Sequence, residues 1–138
     1  MLGYATASTT GQDLDAQLSA LAAAGVDRKR VFTDKLTGST EKVRPGLLAM
    51  LSYARPRDVV VVVALDRLGR SIAEVAQTVA ALTARGIGLR ALKEGLDTAT
   101  ATGRTVAAIM TSLAELDRGS DRDRQDAHQP GQRVKRDG

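Results

Sequence analysis

In the opening stretch Gly3-Tyr4-Ala5-Thr6-Ala7-Ser8-Thr9, a serine hydroxyl follows directly on a short, largely apolar run. A hydroxyl at the carboxyl end of a strand can serve as a nucleophile, because that edge of a parallel sheet is where sites usually form. Serine there is also a common helix cap, so Ser8 alone decides nothing. A second constellation, Leu65-Asp66-Arg67-Leu68-Gly69-Arg70-Ser71, follows a valine run. Two arginines beside an aspartate and a glycine can form a fork for phosphate oxygens. The same residues also suit a solvated, salt-bridged strand-to-helix turn.

The elements that would position these residues alternate between two periods. Met1 to Ala7 reads as a strand, and Leu14, Leu18, Leu21 and Ala22 recur at helical spacing before Gly25. Arg30 to Thr33 suits a second strand, and the polar stretch Asp34 to Lys42 an exposed, mobile loop. Pro45 fits the first turn of a helix through Met50 and Tyr53. Val59 to Ala64 is a continuous apolar run, nearly all β-branched, as a buried parallel strand requires. Ile72, Val75, Val79 and Leu82 form the stripe of a helix closed by Gly86, before a strand at Ile87 to Leu92. Thr98 or Thr102 caps a last helix carrying Val106, Ile109, Met110, Leu113 and Leu116. Strands alternating with helices give an α/β fold with a mainly parallel central sheet of about four to five strands and a C-terminal helix. Residues 1–118 form the domain. Residues 119–138, polar and rich in charge, are expected to be a flexible tail, with Gly119-Ser120 weakening or ending the helix.

Composition narrows the function. The chain has 138 residues, 43% hydrophobic and 26% charged, enough for one domain with a packed core. Aromatics are only 2%, which argues against stacking single-stranded nucleic acid on an aromatic platform. A net charge of +4 is compatible with a polyanionic partner. Lacking cysteine, the chain has no thiolate metal site or cysteine nucleophile, and with one histidine, His128 in the polar tail, no metal is expected. No secretory start or bilayer-length apolar run is present, so the expectation is a cytoplasmic protein without a membrane role. Thr37-Gly38-Ser39-Thr40 lacks the Gly-Lys-Ser/Thr ending of a nucleotide loop, and the basic Arg133-Val134-Lys135-Arg136 reads as part of a free tail.

Taken in order, Gly-Tyr-Ala-x-x-Ser-Thr at 3 to 9, Gln17 in Leu-Asp-Ala-Gln, Phe32-Thr33-Asp34-Lys35, Arg44-Pro45-Gly46-Leu47, Leu65-Asp66-Arg67-Leu68-Gly69-Arg70 and Ala114-Glu115-Leu116-Asp117-Arg118 resemble successive motifs of the serine site-specific recombinases, the resolvase and invertase family. The resemblance implies the family's three-layer catalytic-domain fold. It also implies that Ser8 attacks a DNA phosphodiester to give a phosphoserine link, with no metal or nucleotide cofactor and no small-molecule substrate. Arg44, Arg67 and Arg70 fall at the family's arginine positions, and Asp66 at an aspartate that orients an arginine or handles a proton. Tyr4, Gln17 and Asp34 are supporting positions, and Arg118 and Arg124 are assigned to DNA contact. The implied partners are double-stranded DNA and further copies in a homodimer or tetramer.

Three departures bear on this. Thr6 stands where the family carries arginine, and a short neutral hydroxyl cannot replace a guanidinium at a phosphate. Gly119-Ser120-Asp121-Arg122-Asp123 offers no apolar stripe to extend the last helix, which weakens assembly. No helix-turn-helix follows, so sequence-specific reading of a major groove is not expected of this chain. The alternative function is a degenerate, non-catalytic remnant that folds and associates with intact recombinases.

Overall fold

The computed structural model describes residues 1–7, 11–36 and 44–127, apart from the side chains of 11, 12 and 117–127. Five strands form one sheet: β1 (Leu2–Ala7), β2 (Val31–Lys35), β3 (Val59–Val62), β4 (Gly88–Ala91) and β5 (Leu96–Asp97). Their order is β2-β1-β3-β4-β5, parallel except that β5 runs antiparallel to β4. Among the described residues four α-helices accompany them: α1 (Gly11–Ala23), α2 (Pro45–Tyr53), α3 (Ile72–Ala84) and α4 (Ala101–Ala127), with 3₁₀ turns at Arg28–Arg30 and Leu65–Leu68.

Side chains alternate across the sheet, which places a layer of helix on each face. Leu2, Tyr4, Val60, Val62 and Leu89 meet Leu47 and Met50 of α2, Val79 and Leu82 of α3 and Ala107 of α4 in the larger core. Ala5 and Val61 face the other way, against Leu21 of α1 and Val26. Tyr4, Val60, Val61 and Val62 are wholly buried, as the valine run led one to expect of a central strand.

Three local expectations are revised. β2 continues through Asp34 and Lys35, so Asp34 lies in a strand and is buried rather than in an exposed loop. Residues 37–42 of that expected loop lie outside the described residues. Neither Thr98 nor Thr102 caps α4. Thr100 does, accepting from Gly103 N at 3.0 Å, while Thr98 Oγ1 takes the Leu89 N–H at 2.9 Å. Finally, α4 does not stop at Gly119-Ser120 but runs on to Ala127. A single glycine costs a helix about 1 kcal/mol, too little by itself to stop one that is already propagating.

Candidate active site

Parallel pairing brings the carboxyl ends of β1, β2 and β3 to one edge of the sheet, with Thr6 in register with Asp34. Thr6 is 1% exposed. Its backbone is held from below the sheet by Gln17 of α1, whose Oε1 accepts the Thr6 N–H at 3.1 Å and whose Nε2 donates to the Thr6 carbonyl at 2.5 Å. Gln17 Nε2 also donates to Asp13 Oδ2 at 2.9 Å. A buried side-chain amide thus completes the hydrogen bonding of a strand terminus that is paired with β2 but has no register partner in β3.

After β3 the chain turns through the 3₁₀ residues Leu65–Leu68, which set Arg67 over the end of β1. Arg67 Nη1 donates to Thr6 Oγ1 at 3.3 Å and stands 3.5 Å from Asp13 Oδ2. Its Nε lies 3.8 Å from Asp66 Oδ1, too far for a hydrogen bond, and is buried without an acceptor among the described residues. Asp66 itself is largely exposed.

Arg44 arrives from the other side, as the residue preceding α2. It is 8% exposed, and its Nη1 donates to the Arg67 carbonyl at 2.7 Å. Arg44 Nε is likewise buried without an acceptor. A buried and a half-buried arginine are therefore joined through the Arg67 main-chain carbonyl, each with a buried Nε that has no acceptor among the described residues.

What holds Arg44 in place is Asp34. Its Oδ1 accepts from Gly46 N at 2.7 Å, and its Oδ2 accepts from Leu47 N at 2.9 Å and from Tyr4 Oη at 2.7 Å. A carboxylate on the first amides of a helix both satisfies orphan donors and meets the positive end of the helix dipole. Burial, then the Asp34 hydrogen bond and charge, raise the Tyr4 phenol well above its ordinary range, with nearby Arg44 opposing them. Gly46 makes this approach feasible, because a Cβ there would lie 2.3 Å from the Thr33 carbonyl oxygen.

Arg70 is turned along the start of α3, where Nη2 and Nε meet the Glu74 carboxylate at 2.8 and 3.1 Å. Glu74 and Arg44 line the same cleft, between α2 and α3, above Leu47 and Leu68. Tyr4, Thr6, Gln17, Asp34, Arg44 and Arg67 are thus one connected network, and Arg70 is held on Glu74, which lines the cleft with Arg44. Ser8 lies outside the described residues; in the chain it follows Ala7, the last residue of β1. Arg118 and Arg124 fall on α4, with side chains outside the described set.

Two participants were absent from the sequence reading. Asp13 lies four residues before Gln17, the spacing that puts both on one helix face. Glu74 completes a Ser71-x-x-Glu74 pattern, a readable helix-start signal. Among the described residues no helix is long and apolar enough to cross a membrane.

Residues 1–135 match the family model for the resolvase N-terminal domain. Among curated proteins the chain is 38% identical over 118 residues to the Transposon Tn3 resolvase of Escherichia coli, covering 86% of this chain and 63% of that protein. It is 41% identical over 118 residues to the serine recombinase gin of Escherichia phage Mu, covering 86% and 60%. The chain therefore spans somewhat under two thirds of the length of these relatives. Among solved structures, the N-terminal catalytic domain of TP901-1 integrase superposes with a TM-score of 0.67 at 28% identity, covering 86% of this chain and 95% of that one. A resolvase family site-specific recombinase from Streptococcus pneumoniae shares the fold, with a TM-score of 0.59 at 19% identity over 98% of this chain and 99% of that one.

Proposed function

Because the chain belongs to the resolvase family of recombinases, whose N-terminal domain it carries, we propose that it cleaves and rejoins double-stranded DNA through a covalent link at Ser8. The Ser8 hydroxyl oxygen attacks a backbone phosphorus and forms the O–P bond of a phosphoserine. The bond from phosphorus to one deoxyribose oxygen breaks, and the serine proton ends on that leaving oxygen. Rejoining runs the same step backwards, with a sugar hydroxyl attacking the phosphoserine. One phosphodiester is exchanged for another, so no nucleotide is consumed.

The observation that supports this most is the Arg44–Arg67 link, with an unsatisfied Nε on each side chain. Such an arrangement is costly in an empty site and favourable around an oxyanion. A five-coordinate phosphorus gathers negative charge that preorganised guanidiniums stabilise. Arg70 is read as the third cation, and Asp66, at the rim, as an orienting carboxylate for Arg67. Gln17, Tyr4 and Asp34 hold the frame, and Arg118 and Arg124 are read as backbone contacts along α4. Assembly with a second copy would use the exposed apolar residues Ile109, Leu113 and Leu116 of α4.

The non-catalytic reading draws on Thr6, which places a neutral hydroxyl against Arg67. We read this as slowing the chemistry rather than abolishing it. Duplex titrations at two salt concentrations test the anion site. Weak, sequence-independent binding that falls steeply with salt is expected, with a shallower salt slope for Arg67→Gln. Salt-insensitive binding would contradict a phosphate-directed site.

A further inference from the structure

The exposed ion pair at the start of α3 has more structure than a surface pair needs. The Glu74 carboxylate takes Arg70 at both ends: Oε1 accepts the Arg70 backbone N–H at 3.0 Å, and Oε2 accepts Nη2 at 2.8 Å and Nε at 3.1 Å. Its own backbone N–H is capped by Ser71 Oγ at 3.2 Å. The approach depends on Gly69, since a Cβ there would fall 2.7 Å from Glu74 Cβ and 2.8 Å from Val75 N. Glu74 also lines the cleft that Arg44 lines. The Arg70 hydrogen bonds, from side chain and then backbone, hold the Glu74 carboxyl below its usual range, with smaller contributions from the charges of Arg70 and Arg44.

From this geometry we propose that Glu74 is a positioning residue for strand cleavage: it folds Arg70 back onto the α3 start and holds its guanidinium on the carboxylate that lines the Arg44 cleft before DNA arrives. The inference rests on the strand-cleavage reading above. An unrestrained arginine loses most of its rotamer freedom when it is ordered. Glu74 makes that loss part of folding rather than part of the reaction. Its negative charge also faces Arg44 across the cleft that both line. As a stability element the pair is minor, because both side chains are more than a third exposed. Its effect therefore belongs in the rate.

The test is single-turnover formation of the covalent protein–DNA product by the full chain on a nicked duplex that traps the cleaved strand, over a range of DNA concentrations. Glu74→Gln is expected to lower the rate at saturating DNA about tenfold, the scale of a misplaced but present group. The half-saturating concentration should not rise, because a negative charge has been removed from a DNA-facing site. Glu74→Asp, with a shorter carboxylate, should recover part of the loss. In an Arg70→Gln background Glu74→Gln should cost nothing further. An unchanged saturating rate in Glu74→Gln, or a loss that persists in the Arg70→Gln background, overturns the positioning role. A wild-type chain that forms no product at all overturns the strand-cleavage reading, and Glu74's role with it. Melting temperatures of Glu74→Gln and wild type within about 2 °C would show that unfolding is not the cause of any loss. A larger drop that accounts for the lost rate also overturns the proposal.

Discussion

Arg44 donates from Nη1 to the main-chain carbonyl of Arg67 across 2.7 Å, so that α2 and the 3₁₀ turn after β3 are joined by the side chain that also supplies the site's most buried cation. Structure and chemistry are therefore coupled at this contact. Arg44→Lys keeps the charge but loses the planar fork that spans to the carbonyl. Covalent product formation should fall on the order of 10²-fold, with a smaller loss of stability. A rate near wild type would show that only charge matters at this position.

Asp34 accepts three hydrogen bonds with its two oxygens, and each carboxylate oxygen faces at least one backbone donor. In Asp34→Asn one of those positions becomes an NH₂ opposing an N–H. The expected cost is about 1–3 kcal/mol in urea unfolding, with a parallel fall in cleavage as α2 loosens and Arg44 drifts. An isosteric change that left both stability and rate untouched would remove Asp34 from the positioning network.

Gly46→Ala should be more damaging than its single methyl suggests. The new carbon would lie 2.3 Å from the Thr33 carbonyl oxygen, which is backbone and cannot swing away. Strain of this kind commonly costs 1–3 kcal/mol, here roughly the upper end. Urea denaturation checks it. Wild-type stability would mean that α2 can shift at little cost.

Much of this arrangement is legible in the residues, and the gaps have physical causes. The valines at 59 to 62 and the glycine at 86 announce their elements, because a run of β-branched side chains and a left-handed turn each have one ready explanation. Leu65 to Arg70 is legible as a site because its arginines follow a buried strand. Asp34 was read as loop because aspartate is rare in strands. Its three partners, Tyr4, Gly46 and Leu47, come from other elements and no local window contains them. The two-residue strand Leu96–Asp97 leaves no alternation to detect. Thr98, Thr100 and Thr102 are equivalent as caps by composition, and only the fold selects Thr100.

Tyr4 gives a pH signature. Its phenol has a folded-state pKa above the ordinary value of 10.0, raised first by burial and then by Asp34. The unfolded chain therefore releases this proton more readily than the folded one. The contribution is complete below pH 10 and is lost as pH rises beyond it. Wild type should lose melting temperature between pH 9 and pH 11 by more than Tyr4→Phe does, those pH values bracketing an unperturbed tyrosine near 10. Equal losses in the two proteins would mean that Tyr4 is not buried as a neutral phenol.

At Thr6 the expected change is a gain. Thr6→Arg brings a further guanidinium to the end of β1 and should accelerate product formation by roughly 10²–10³-fold. Without DNA the same variant should melt lower, since an arginine at a 1% exposed position beside Arg67 brings two like charges together. Inorganic phosphate should restore part of that loss. An unchanged rate would mean that Thr6 does not limit the chemistry.

The most direct measurement concerns Ser8 itself. The chain is incubated with a nicked duplex carrying a trapped cleavage position, digested with protease and nuclease, and the peptides are weighed by mass spectrometry. The expected result is a nucleotide-phosphate mass on the peptide containing Ser8, present in wild type and absent in Ser8→Ala, with Arg67→Ala reduced on the order of 10²-fold or more. DNA phosphate on another residue, an adduct that survives Ser8→Ala, or cleavage with no protein-bound phosphate would contradict a phosphoserine intermediate at Ser8.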